Sequence, residues 1–263
     1  MIKVGKVNYL NTLPLFYRWE SHNIALVEGH PSQLVEKLRS GEIHAGIVSS
    51  VEYIFHRESY RLVPSICIAS KKKACSVLLF SNLSIDKVSR VYLTPASLTS
   101  KVLARYIMKA VYHNEPEEVE TKEDAQALLL IGDQALEEKL TGRWKFVYDL
   151  GEEWYSLHKL PFVFALFLVR KDAPQGLELL IEKQCKTSKV EFFKDLSESR
   201  LKAQGYPQSF LREYFSSCLW YDLGEEEELS LKVFEEVVKE ELFNQRHFSK
   251  SDVRMFENYT TGI

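Results

Sequence analysis

The apolar positions of this chain fall into short blocks whose period alternates between strand and helix. Ile2–Val7 reads as a strand and runs into the polar loop Asn8–Pro14. Pro31–Ser40 then has helical spacing. Pro31 suits the first helical position, Leu34, Val35 and Leu38 share a face, and Gly41 suits the left-handed site past the end. Ile43–Val48 is continuously apolar, as a buried strand would be, and ends in Ser49 and Ser50 before another short helix. A β-α-β-α order of this kind predicts a parallel sheet with helices on its faces.

A second unit repeats the pattern. Val91–Leu93 is a strand ending in Thr94-Pro-Ala-Ser97-Leu-Thr99-Ser100. Val102, Leu103, Tyr106, Ile107, Ala110 and Val111 then line one face of a helix from Ser100 to Val111. A short helix is expected at Asp124–Ala127, a strand at Leu128–Ile131, and a helix from Gly132-Asp133 through Leu140. Two such units imply two α/β lobes joined by two crossings, for which the apolar stretches Ala74–Phe80 and Phe162–Val169 are long enough. The expected division is 1–80 plus 166–263 for the first lobe and 81–165 for the second. Beyond Val169 the chain becomes strongly helical. Leu229, Val233, Phe234, Val237, Val238 and Leu242 form one apolar stripe, expected to pack on the first lobe, and Glu225–Glu228 suits a helix N-terminus.

Composition narrows the function. The 263 residues carry 45% hydrophobic and 12% aromatic side chains, enough for folded cores. A net charge of −3, with Lys and Arg dispersed, leaves no basic footprint for nucleic acid, and Lys71-Lys-Lys73 reads as a solvated turn. No apolar run reaches the length of a membrane span, and no export-signal pattern precedes the first strand, so a cytoplasmic location is expected. Cys67, Cys75, Cys185 and Cys218 form no CxxC pair and are expected as free, mostly buried thiols. The histidines form no metal-binding spacing, so neither a metal nor a cofactor is expected.

Candidate chemistry sits at the strand ends. Four strands terminate in small polar groups: Asn11, Ser49-Ser50, Ser97-Leu-Thr99-Ser100 and Gly132-Asp133. In open parallel sheets ligands bind beyond these carboxyl ends, where the first turns of helices offer unpaired N–H groups to a carboxylate or phosphate. Each Ser, Thr or Asp taken alone also reads as a helix cap. There is no Ser-His-Asp pattern, GxSxG, P-loop or GxGxxG after a strand, so these residues alone favour a binding protein over an enzyme.

Several longer motifs occur in a fixed order over roughly residues 4–170. They are Gly5-Lys-Val-Asn-Tyr9-Leu10-Asn11-Thr-Leu-Pro14-Leu15, Gly41-Glu-Ile-His-Ala-Gly-Ile-Val-Ser-Ser50, Ser76-Val-Leu-Leu-Phe-Ser81, and Leu93-Thr-Pro-Ala-Ser97-Leu-Thr99-Ser100. Ile131-Gly132-Asp133-Gln-Ala-Leu136, Asp149-Leu-Gly151-Glu-Glu-Trp154 and Leu160-Pro161-Phe162-Val-Phe-Ala165 complete the series. This ordered set resembles the chorismate dehydratase family of the futalosine route to menaquinone. The C-terminal third resembles it only in helical character.

The resemblance implies an α/β, two-lobed periplasmic-binding-protein-like fold of type II, working in the cytoplasm. It also implies a reaction that removes water from chorismate to give 3-[(1-carboxyvinyl)oxy]benzoate. By position, Asn11 and Ser76 match the family's catalytic polar pair. Both are neutral hydrogen-bonding groups, which leaves a substrate carboxylate to accept the proton. Ser97, Thr99 and Ser100 are candidates for a carboxylate site, and Ser50, Gly132 and Asp133 for the cleft lining. Trp154 and Phe162 are candidates for contact with the ring, with core packing the competing reading. Two other functions compete: a non-catalytic binder or sensor of a small organic anion, and 1,4-dihydroxy-6-naphthoate synthase of the same route. The synthase normally opens with a Ser-Pro-Cys-Pro-Asn-type loop where this chain has Tyr-Leu-Asn.

Overall fold

A computed structural model describes residues 1–19, 23–201 and 205–243. The strands are β1 (Ile2–Val7), β2 (Ile24–Gly29), β3 (Ala45–Ser49), β4 (Tyr60–Ser70), β5 (Val77–Ser81), β6 (Arg90–Leu93), β7 (Glu117–Val119), β8 (Ala127–Ile131), β9 (Phe146–Asp149) and β10 (Phe162–Arg170). The helices are α1 (Leu13–Phe16), α2 (Pro31–Ser40), α3 (Ser50–His56), α4 (Leu98–Tyr112), α5 (Gly132–Leu140), α6 (Leu150–His158), α7 (Leu177–Ser197), α8 (Gln208–Glu213) and α9 (Glu225–Phe243). Among the described residues the strands form two five-stranded sheets, ordered β2-β1-β3-β10-β4 and β7-β6-β8-β5-β9.

Both sheets are mixed, where the β-α-β-α pattern predicted parallel ones. β10 is antiparallel to β3 and β4, and β5 is antiparallel to β8 and β9. The reason lies in the crossings. β4 ends at Ser70, and β5 begins in the other sheet at Val77, opposite Ile131 at the end of β8. The return brings Phe162, the first residue of β10, opposite Ser70. A strand reached across the cleft starts where its neighbours finish, so it must run against them. The chain therefore changes sheets in residues 71–76 and 150–161, directly before the two apolar strands expected to mark the crossings.

Local sequence accounts for the elements that shape the cleft. Gly41 ends α2 in the left-handed region at φ +80°, and its N–H returns to the carbonyl of Leu38. Ser97 caps α4 by accepting the N–H of Ser100. The helix expected at Asp124–Ala127 is absent: this stretch is a turn, and Ala127 already pairs with Ser81 as the first residue of β8. The side chains of Val4, Leu34, Leu38, Ile47 and Phe167 build the core of the first sheet. Those of Leu79, Val102, Leu103, Ile107 and Leu129 build that of the second.

The C-terminal helix corrects another expectation. Phe234, Val237 and Val238 of α9 are buried as the stripe predicts, but they join Trp154, Phe162 and residues of α4 in the second core cluster. The helix bridges the two lobes instead of covering the first alone. Leu229 of that stripe is exposed, and the side chain of Leu242 lies outside the described residues, as do residues 244–263. Among the described residues no helix is long and apolar enough to cross a membrane.

The cysteines also depart from expectation. Cys67 and Cys185 are free and buried, whereas Cys75 and Cys218 form a disulfide across a sequence separation of 143 residues. Spacing conceals this pair, because the C-terminal segment 219–221 returns beside β4. Trp220 and Ala69 exchange two backbone hydrogen bonds of 2.8 Å there, which brings Cys218 to the first crossing.

Candidate functional site

The cavity lies between the sheets, past the carboxyl ends of β1, β3 and β8 and at the start of α4. It holds about 640 Å³ of empty space counted to its open mouth. One wall carries Tyr9, Asn11 and Thr12 from the loop after β1, with Val48 and Ser49 from β3. The facing wall carries Ser76, Ser97, Ser100 and Gly132. Phe164 and Leu219 add apolar surface. Among the described residues that line it there is no Asp, Glu, His, Lys or Arg. The site therefore presents hydroxyls, an amide and apolar faces at the starts of α4 and α5, whose first N–H groups are partly taken within the protein: Thr99 N by Ser49 Oγ, Ser100 N by Ser97 Oγ and Gly132 N by the Ser76 carbonyl.

Asn11 lies in a single 3-10 turn, Leu10–Thr12, held from behind by Thr12. The Thr12 hydroxyl is 2.7 Å from the carbonyl of Val7 and 2.9 Å from that of Tyr9. The buried Asn11 Oδ1 has no hydrogen-bond partner among the described residues. An unpaired buried amide oxygen at a cavity wall is poised to accept from a ligand hydroxyl. Facing it, Ser76 Oγ is 2.7 Å from the hydroxyl of Tyr214.

The backbone that presents Ser76 is held by Asp149. Its Oδ1 accepts from Ala74 N at 2.9 Å and its Oδ2 from Cys75 N at 2.7 Å, while Oδ1 also caps α6 through Gly151 N at 3.0 Å. Burial raises the Asp149 carboxyl above its usual range, and these N–H donors pull the other way. Gly151 has to be small here, since a Cβ would lie 2.8 Å from the Lys72 carbonyl.

Of the residues expected to bind substrate, Ser97, Ser100 and Gly132 line the cavity, together with Asn11 and Ser76. The other five sit behind it. Ser50 is fully buried and donates to the carbonyl of Val163 at 2.8 Å. Thr99 is also fully buried: its hydroxyl bonds that of Ser49 and accepts from Val51 N at 3.1 Å, so it clasps α4 to the β3–α3 junction. Asp133 Oδ1 accepts from Leu10 N at 2.9 Å instead of facing the cavity, and burial raises its carboxyl pKa. Trp154 and Phe162 pack edge to face, ring centroids 5.0 Å apart, with Phe234 against both. Their apolar surface is consumed by the second core, and Phe164 supplies the aromatic wall in their place. Among the described residues no three His, Cys, Asp or Glu side chains cluster to hold a metal ion.

The family model described as menaquinone biosynthesis matches residues 2–240. The chain belongs to the menaquinone biosynthesis family. It is 27% identical over 259 residues to a chorismate dehydratase of Thermus thermophilus, covering 89% of this chain and 94% of that protein. In fold it is similar to a protein of Archaeoglobus fulgidus, with a TM-score of 0.69 at 18% identity over 92% of this chain and 98% of the other. It is also similar to the alkanesulfonate-binding protein of Xanthomonas axonopodis pv. citri bound to MOPS, with a TM-score of 0.65 at 13% identity over 95% and 94%. These likenesses show the periplasmic-binding-protein-like architecture.

For a member of this family, the sequence left several site residues unseen. Tyr9 and Thr12 lie inside the quoted motifs, so adjacency was an available signal, and Ser49 stood among the polar strand ends without being singled out as a substrate contact. Tyr214 and Leu219 come from the C-terminal third, where only helical periodicity was legible, and nothing local marks them as cavity neighbours.

Proposed function

We propose that the protein is a chorismate dehydratase that converts chorismate to 3-[(1-carboxyvinyl)oxy]benzoate and water in the futalosine route to menaquinone, in the cytoplasm. The observation that carries this reading is a cavity of neutral donors and helix N-termini, within a menaquinone biosynthesis family member that is similar to a chorismate dehydratase. The ligand class fits: chorismate is a small dicarboxylate with a ring hydroxyl. Its carboxylates can be received by hydroxyls and backbone N–H groups, and its hydroxyl by an acceptor such as Asn11 Oδ1.

The reaction removes the C3 proton and the C4 hydroxyl, and the ring becomes aromatic, so much of the driving force resides in the substrate. Among the described residues the lining offers no carboxylate, imidazole or amine to act as base. A carboxylate of the substrate accordingly takes the C3 proton, which leaves with the C4 hydroxyl as water. Asn11 orients the ring or the leaving hydroxyl, and Ser76 holds the enolpyruvyl carboxylate. Ser97 and Ser100, at the start of α4, receive the other carboxylate. Thr99, Ser50 and Asp133 act behind the lining by holding the walls together. Substrate enters an open cleft that closes by hinge motion at the two crossings.

Turnover of purified chorismate by the wild type, Asn11→Ala and Ser76→Ala tests the assignment. Loss of turnover in both variants, with folding intact, is the expected result. Normal turnover in both would remove the assigned roles, and chorismate binding without loss of water would favour an anion-binding protein.

A further inference from the structure

Ser76 does not face the cavity unaided. Its Oγ lies 2.7 Å from the hydroxyl of Tyr214, a side chain buried in the π-helical turn Tyr214–Cys218. We infer that Tyr214 is a positioning residue that fixes the Ser76 hydroxyl as a hydrogen-bond donor toward a ligand carboxylate. The inference rests on the dehydratase reading for the identity of that ligand.

The direction of the chain of hydrogen bonds follows from counting acceptors. Among the described residues the Tyr214 hydroxyl has no hydrogen-bond partner other than Ser76. Its nearest rings, Phe210 at 5.7 Å and Phe215 at 5.2 Å between centroids, offer no oxygen or nitrogen. A buried O–H left without an acceptor is costly, so the phenol donates to Ser76 Oγ. Burial holds the phenol far above its ordinary ionisation range, so it keeps its proton at neutral pH. Ser76 Oγ is then occupied as an acceptor. Its own proton has only the carbonyl of Ala74, at a long 3.4 Å, or the cavity that Ser76 lines. A carboxylate in the cavity is the stronger acceptor, and the donor chain Tyr214 to Ser76 to carboxylate polarises in one sense.

The covalent structure supports the same role. Cys75, immediately before Ser76, is bonded to Cys218 at the end of the turn that begins with Tyr214. Three residues past that turn, Tyr221 donates to the carbonyl of Asn11 at 2.7 Å. One C-terminal segment thus grips both members of the polar pair, although no motif of that segment revealed it.

The test is a double-mutant cycle of Tyr214→Phe, Ser76→Ala and the pair, read as kcat and KM for chorismate and accompanied by thermal melts. Tyr214→Phe keeps the ring and removes only the hydroxyl. It is expected to lower kcat/KM roughly 10- to 100-fold, with a rise in KM, because the charged carboxylate is already held in the ground state. In the Ser76→Ala background the same change should cost less than about twofold. Wild-type kinetics for Tyr214→Phe, a loss confined to kcat, or an equal loss in both backgrounds would overturn the inference while leaving the dehydratase reading intact. A wild type that leaves chorismate unconverted overturns that reading instead. The cycle is then read as chorismate affinity by calorimetry, where unchanged affinity in Tyr214→Phe, or no binding by the wild type, overturns the inference too.

Discussion

Asp133 at the start of α5 accepts the backbone N–H of Leu10 at 2.9 Å, so a carboxylate beyond the second sheet holds the loop that carries Asn11 beyond the first. The bond spans the cleft. Beside it, Gly132 takes φ +58° with the Tyr9 ring so close that a Cβ would lie 2.8 Å from it. Together these contacts set how nearly the two lobes approach. Asp133→Ala should therefore lower kcat/KM by about 10-fold or more, since a bond to a charged acceptor contributes about 1.5–3 kcal/mol. Asp133→Asn keeps a carbonyl acceptor and should recover most of the loss. Steady-state kinetics of the two variants decide it, and equal activity in both would remove the latch.

The Cys75–Cys218 disulfide closes a loop across 143 residues of sequence and joins the first crossing to the C-terminal segment. Constraining the unfolded chain over such a loop stabilises by about 2–5 kcal/mol. Reduction, or the Cys75→Ser/Cys218→Ser pair, should lower the melting temperature by roughly 5–15 °C. Melts with and without dithiothreitol check this, and identical melting temperatures would show that the bond contributes nothing.

With no Lys or Arg among the described lining residues, the proposed dianion would be held by fixed dipoles at short range, which salt screens weakly. The KM for chorismate should change less than about threefold between about 0.05 and 0.5 M salt. A steep rise in KM with salt would mean that a cationic side chain outside the lining reaches the substrate.

Burial lowers the pKa of His158, whose Nε2 lies 3.0 Å from the Tyr106 hydroxyl and whose ring lies against Trp154. Above the unfolded value near 6.5 both states are neutral and His158 adds no pH dependence. Below it the unfolded chain protonates first, so the contribution of His158 to stability falls until the lower folded pKa is passed. Asp133 and Asp149, both raised by burial, titrate in the opposite sense, so the measurement must isolate the histidine. Denaturant unfolding of wild type and His158→Gln at about pH 7.5 and 5.5 does so. The wild type should lose more stability than the variant on acidification, and parallel losses would contradict the assignment.

Much of the fold was legible because its signals are local. Pro31 and Gly41 bracket α2 as their backbone chemistry requires, and the apolar run after Ala127 is β8. The antiparallel course of β5 and β10 was not legible, because it follows from where the chain crosses between sheets and not from any strand's composition. At the site, Asn11, Ser97, Ser100 and Gly132 come together as their strand-end positions implied, and Ser76 lies beside them immediately before β5, where only the family resemblance had pointed to it. Trp154 and Phe162 do not join them, since α9 returns Phe234 against both rings from far along the chain. The same blindness to long-range return hid the Cys75–Cys218 pair and the bond from Tyr214 to Ser76. Residue spacing reports which face a side chain shares and cannot report which distant segment covers it.

Removal of water from chorismate in a cavity of neutral groups is tested by a timed incubation of the purified protein with chorismate, resolved by chromatography and mass. A single product is expected, lighter than the substrate by one water and aromatic in its ultraviolet spectrum. Chorismate bound by the protein yet recovered unchanged would contradict it.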